Sequence, residues 1–182
     1  MIDIHGQRRF EALLQEHRKI VFKVARVYAR GEEDRNDLAQ EIAAQLWRSF
    51  PGYDETRRFS TWMYRIALNV GISHARREIG RIARFEPLDD TLAERAEGTT
   101  IDEPDDRLRQ MWTVIDALEP LDRALIVLYL EERSYAEIAE VIGISETNVA
   151  TKLNRLKQRL RKAMDAASSP PTTRTSAWNS TN

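Results

Sequence analysis

The side chains best suited to chemistry in this chain address bases and phosphates. Glu146, Thr147, Ala150, Thr151, Asn154, Arg155 and Gln158 are spaced to share one side of a helix. The amides, hydroxyls and cations of that row have the reach for base edges or backbone phosphates. From Thr151 to Lys162 there are six basic residues (Lys152, Arg155, Lys157, Arg159, Arg161, Lys162) and no acidic one. A second basic run lies far upstream. Between Arg57 and Arg84 stand seven Arg (Arg57, Arg58, Arg65, Arg76, Arg77, Arg81, Arg84) against Glu78 alone. Aromatic residues Tyr53, Phe59, Trp62 and Tyr64 flank or punctuate its start. Between the two, Glu86 to Asp106 holds nine acids against Arg95. The formal net charge is only −1, but local patches set the field a phosphate meets.

The elements that would hold the first row are legible in the turn chemistry. Ile138 and Ile142 fall four apart on one helical face, and Ala139 is small enough for a crossing helix. Gly143 suits the left-handed conformation that ends a helix. Ser145 is a natural N-cap for the next one, in which Val149 and Leu153 face inward. The spacing of Ala139, Gly143 and Val149 within Ser134 to Met164 is that of a DNA-binding helix-turn-helix. A plain hairpin with a solvated charged face would not need the small residue, the turn glycine and the basic helix together.

Upstream, Phe10 to Tyr28 and Asp34 to Phe50 carry apolar residues at helical spacing. Pro51-Gly52-Tyr53-Asp54 is turn chemistry. Ser60 is the expected N-cap of a helix reaching Arg77 or beyond, within which Gly71 lowers helicity and could mark a kink. Periodicity is lost from Phe85 to Asp106 and returns at Leu108 to Leu118, and Pro120 opens a further helix. From Ser168 the chain is rich in Ser, Thr and Pro, the composition of a disordered tail. The expected fold is therefore all-α: two small helical domains joined by a flexible acidic linker, the second containing the helix-turn-helix.

The totals exclude several functions. The chain has no Cys, so it offers no disulfide and no thiolate ligand or nucleophile. Its three His (His5, His17, His74) are scattered, which argues against a His-based metal site. Asp34, Asp37 and Glu41 share a helical face, but no His, second acidic cluster or catalytically spaced Lys accompanies them, so a metal nuclease is disfavoured. No metal or cofactor is expected, nor any catalytic residue. No apolar run approaches the ~20 residues of a membrane span, and the N-terminus lacks a signal-peptide layout. A cytoplasmic protein without membrane insertion is expected.

Taken in order, three stretches make the chain resemble a bacterial RNA polymerase sigma factor of the extracytoplasmic-function type, within the sigma-70 family. They are DRNDLAQEIAAQLW, RFSTWMYRIALNV and LDRALIVLYLEERSYAEIAEVIGISETNVATKLNRLKQRLR. The resemblance spans roughly Phe10 to Met164, apart from the linker. It implies a region 2-like domain over 1–84, the linker over 85–106, a region 4-like domain over 107–167 and the tail over 168–182. It implies two partners, core RNA polymerase (clamp helices of the large subunit, and flap) and promoter DNA, both duplex and single-stranded. Polymerase docking would fall to Asp37, Leu38, Gln40, Glu41 and Trp47. Minus-ten recognition and melting would fall to Tyr53, Asp54, Arg57, Arg58, Trp62, Tyr64, Arg65, Asn69, Arg76 and Arg77. Flipping a base there costs a few kcal/mol, which stacking and cationic neighbours would offset. Minus-thirty-five contacts would fall to Thr147, Ala150, Thr151, Lys152, Asn154, Arg155 and Gln158. Two departures stand out: Ala150 and Leu68 occupy positions where such factors often carry a basic residue. An anti-sigma factor is the expected regulatory partner. The competing expectation is a one-component helix-turn-helix regulator that binds duplex DNA without polymerase.

Overall fold

The computed structural model describes residues 4–85 and 106–168. Within them every regular element is helical apart from turns. The first half holds α1 (Ile4–Tyr28), α2 (Glu32–Ser49) and α3 (Phe59–Phe85), with a 3-10 turn over Phe50–Gly52. The second half holds α4 (Asp106–Asp116), α5 (Pro120–Leu130), α6 (Tyr135–Ile142) and α7 (Glu146–Ser168). The expected linker and tail fall almost wholly outside the described residues.

Periodicity explains the packing of α1, α2 and α3 against one another. Val21, Val24, Ala25 and Tyr28 form one buried stripe on α1. Leu38, Ile42 and Leu46 form another at i, i+4, i+8 on α2. Met63, Ala67 and Tyr64, Leu68, Ile72, Ala75 do the same on α3. Leu68 is buried, so its departure from a basic residue serves the core.

Three details differ from the expectations. Helix α1 begins at Ile4, well before Phe10. Helix α3 begins at Phe59, one residue before the expected cap Ser60. Its first turn is closed by the Arg58 carbonyl, which accepts from the Thr61 and Trp62 amides at 3.1 and 3.2 Å. Burial of Phe59 sets that start, outweighing the capping preference of Ser60. Helix α3 also runs on through Gly71. The missing side chain there makes room for a neighbour: a Cβ on Gly71 would lie 2.5 Å from Tyr28 Cδ2 and 2.9 Å from its Cγ.

The two halves pack together. Helix α3 lies against both α5 and α6, and the buried residues of the halves form one apolar cluster. The sequence suggested two bodies on a flexible tether. The closure rests on pairings between residues far apart in sequence, which periodicity does not encode.

Candidate nucleic-acid interface

The helix-turn-helix is built from local chemistry. The Ser134 hydroxyl accepts from the Glu137 amide at 3.2 Å, and the Glu137 carboxylate accepts from the Ser134 amide at 3.0 Å. This reciprocal capping box starts α6. Gly143 ends it at φ 80, in the left-handed region, and its amide donates to the Ala139 carbonyl at 2.8 Å. The Ser145 hydroxyl then accepts from the Asn148 amide at 3.3 Å and caps α7.

Helix α7 buries Val149, Leu153 and Leu156. That orientation leaves Thr147, Thr151, Asn154, Arg155 and Gln158 exposed, with Ala150 and Lys152 half-buried at the flanks. The Thr151 hydroxyl donates to the Thr147 carbonyl at 2.9 Å. Two basic residues of this helix serve local packing. The Lys157 ammonium sits 4.7 Å from the Tyr129 ring centroid, and Arg159 lies 3.7 Å from Asp122.

The upstream candidates gather around the loop that precedes α3. Asp54 organises that loop. Its carboxylate accepts from the Thr56 amide at 3.0 Å and hydroxyl at 2.7 Å. These bonds hold the Asp54 carboxyl below its ordinary range. Tyr53 packs among Phe50, Phe59 and Trp62 with ring centroids 5.1–6.0 Å away. Its hydroxyl donates to the Arg57 carbonyl at 2.6 Å. Trp62 is half-buried in this cluster, so packing accounts for part of its presence. Arg65, Asn69 and Arg76 are exposed along α3. One Arg77 guanidinium nitrogen donates to both Glu41 oxygens at 2.9 Å, joining a candidate phosphate contact to a candidate docking residue.

On α2, Asp37 and Gln40 are exposed, Glu41 and Trp47 are half-buried, and Leu38 is 1% exposed. Leu38 therefore supports the helix from behind. Trp47 stacks edge-on against Phe10 at 5.1 Å.

Tyr64 was expected to face DNA but lies beneath the second half at 1% exposure. Its hydroxyl donates to Glu131 at 3.0 Å, and the Arg133 guanidinium sits 5.3 Å from its ring centroid. Lys23 completes an ion pair with Glu131. Nearby, Arg57 pairs with Glu140 at 3.0 Å and Arg58 with Glu137 at 3.2 Å. The Tyr28 hydroxyl donates to the Pro120 carbonyl at 2.7 Å, and Arg123 reaches the Val27 carbonyl at 3.4 Å. In this closed arrangement an acidic edge of the helix-turn-helix half lies over Tyr64 and pairs with Arg57 and Arg58, whose side chains stay exposed. Sequence reasoning missed Lys23, Glu131 and Arg123 in these roles, and nothing local marks them. Gly71 carried a signal, since a mid-helix glycine often marks a close approach.

Burial pushes the Glu131 carboxyl up, but hydrogen bonds from Lys23 and Tyr64 outweigh it and hold the group below its ordinary 4.5. A depressed carboxyl stabilises the state that depresses it at pH above its free value, and that stability is lost as pH falls through the lowered one. The contribution of Glu131 to closure is therefore expected to be fully present at neutral pH and to weaken below about pH 4.5. Small-angle scattering at pH 7 and pH 4 should show an increase in radius of gyration while helical circular dichroism persists. An unchanged radius would remove Glu131 from this role.

Among the described residues no group of three or more His, Asp or Glu is placed to hold a metal ion, and no helix is long and apolar enough to cross a membrane. Two family descriptions match the chain: Sigma-70 region 2 over residues 13–79, and Sigma-70, region 4, over residues 108–160. Three curated relatives are similar over most of its length. ECF RNA polymerase sigma factor SigE of Mycolicibacterium smegmatis is 31% identical over 157 residues, covering 84% of this chain and 60% of that one. ECF RNA polymerase sigma factor SigW of Bacillus subtilis is 30% identical over 141 residues, covering 72% and 75%. RNA polymerase sigma factor CnrH of Cupriavidus metallidurans is 28% identical over 174 residues, covering 90% of each. Two solved structures share the fold. CnrH in complex with the cytosolic domain of CnrY has a TM-score of 0.60 at 24% identity, covering 89% of this chain and 91% of that one. The sigma factor RpoE in complex with the anti-sigma factor NepR from Bartonella quintana has a TM-score of 0.70 at 15% identity, covering 87% and 98%.

Proposed function

This chain belongs to the extracytoplasmic-function (ECF) sigma factors of the sigma-70 family, and from that premise we propose that it binds core RNA polymerase and directs promoter-specific initiation. The observation that carries this reading is the pairing of two matched regions, in order, on one helical chain. A duplex reader formed by α6 and α7 accompanies a loop-and-helix face rich in aromatic and cationic residues.

The division of labour follows from the chemistry of each face. Asn154 and Arg155, one turn beyond Ala150, carry the amide and guanidinium suited to adenine and guanine edges. Thr147, Lys152 and Gln158 add backbone contacts. Together they read the minus-thirty-five element as duplex. The loop at Tyr53–Arg58, with Trp62, Tyr64, Arg65, Asn69, Arg76 and Arg77, receives the melted minus-ten strand. Asp54 contributes by shaping the loop that presents these groups. Polymerase docks on the exposed edge of α2 at Asp37 and Gln40 with Glu41, Trp47 packing behind. The chain makes and breaks no bonds itself and works in the cytoplasm, where its partners are. Each DNA site is weak, and joining the two on one polymerase raises effective concentration.

Engagement of both elements requires the closed packing to open, because Tyr64 is covered by the half that would sit on the duplex upstream. An anti-sigma partner is proposed on the ground that RpoE, similar in fold, is held by one.

The test is in vitro transcription with core polymerase over a randomised promoter library. A single promoter class is expected to emerge. Asn154→Ala is expected to relax one minus-thirty-five position, costing about 1–3 kcal/mol, or roughly five- to a hundredfold in selectivity there. Emergence of no promoter class, or specific duplex footprinting without polymerase, would replace this reading with a one-component regulator.

A further inference from the structure

The outward row of α7 has a methyl-bearing stretch between Thr147 and Asn154. Ala150 offers only a methyl group. Thr151, next to it and exposed, has its hydroxyl proton committed to the Thr147 carbonyl one turn back, at 2.9 Å. With the oxygen turned against the helix wall, the γ-methyl of Thr151 is left on the exposed side. Two adjacent positions near the start of the reading helix thus present methyl groups and no free donor. Hydrogen-bonding readers resume only at Asn154 and Arg155.

Of the four base pairs, only those with thymine carry a methyl group in the major groove. The acceptors of guanine, adenine and thymine would all meet no free donor from either side chain, so the thymine methyl is what this stretch can distinguish. We propose that Ala150 and Thr151 present a methyl surface that selects thymine in the minus-thirty-five element, with the Thr151 hydroxyl serving the helix rather than the DNA. This rests on the sigma-factor reading above and names the base that the helix discriminates.

The selected promoter is rebuilt with 2′-deoxyuridine at each minus-thirty-five thymine in turn, which removes only the 5-methyl group. Holoenzyme made with the full chain is assayed on thymine and uracil templates. One replacement is expected to lower open-complex formation by about fourfold, the scale of one buried methyl group. Thr151→Ser keeps the hydroxyl and loses the methyl, and should reduce that thymine-to-uracil ratio towards one. Thr151→Val keeps the methyl and loses the hydroxyl, and should preserve the ratio. Each ratio is internal to one variant, so partial misfolding does not imitate the result. The inference is overturned if no thymine is selected, if no uracil template is impaired, if Thr151→Ser preserves the ratio, or if Thr151→Val abolishes it. These outcomes leave promoter selection intact. A library that yields no promoter class at all overturns the sigma-factor reading, and this inference with it.

Discussion

Replacing Glu131 with alanine is expected to shift the molecule from the closed to an open arrangement without unfolding either half. Glu131 accepts from the Tyr64 hydroxyl at 3.0 Å and pairs with Lys23. Both donors lie in the first half, and Tyr64 is almost fully covered. Truncating the shared acceptor leaves a buried hydroxyl and a partly buried ammonium without it. Such losses cost about 1–3 kcal/mol, a roughly five- to hundredfold change in the closed-to-open ratio. The two outer ion pairs are different. The Arg57 and Arg58 side chains are 57% and 78% exposed, and pairs of that kind contribute about 0–1 kcal/mol. Glu140→Gln should therefore change little, and Glu137→Gln should keep the capping box while losing only the charge. The absence of Cys makes the measurement direct. Cysteines placed at exposed Arg48 and Arg161 can carry a dye pair whose transfer efficiency should fall for Glu131→Ala. An efficiency equal to that of the unaltered chain would show that Glu131 is not what holds the halves together.

That ranking also shows why some of the architecture was legible in the sequence. The helix-turn-helix is made by bonds between residues three or four apart: Ser134 to Glu137, Ala139 to Gly143 and Ser145 to Asn148. Residue type and spacing are enough to read them. Helix faces are similarly local, and α2 buries Leu38, Ile42 and Leu46 at the expected period. The start of α3 depends on Phe59 joining a cluster with His17, Phe50, Tyr53 and Trp62, and its partners come from separate elements. Spacing alone does not say which of those rings meet, and His17 lies 42 residues upstream of Phe59. The closure of the halves is further still from local rules. Lys23 and Glu131 lie 108 residues apart, and Tyr28 and Pro120 lie 92 apart. The exposed row of α7 follows from its buried stripe. The methyl-bearing stretch within that row needs the direction of one hydroxyl, which composition does not record.

Gly71→Ala provides the sharpest test of that non-local closure, because two opposing effects can be separated by sign. In an isolated helix the change should stabilise by about 0.8–1.0 kcal/mol, since glycine is the poorer helix former. Here the new methyl would stand 2.5 Å from Cδ2 and 2.9 Å from Cγ of Tyr28. Those atoms belong to the ring near its root, which cannot swing aside as the tip of a long chain can. The ring is also held at its far end, where its hydroxyl donates to Pro120 at 2.7 Å. Overpacking of this kind costs about 1–3 kcal/mol, and a displaced ring would also leave its buried hydroxyl unpaired, for about 1–3 kcal/mol more. The penalty exceeds the propensity gain, so Gly71→Ala should destabilise by about 1–5 kcal/mol and lower the melting temperature by about 2–20 °C. In a Tyr28→Leu background the ring and its bond are gone. The same Gly71→Ala change should then be neutral or stabilising, reversing sign. Calorimetry on the four chains of this cycle measures the coupling. If Gly71→Ala stabilises the unaltered chain, Tyr28 is free to move, and its bond to Pro120 holds the halves together far less than the geometry indicates.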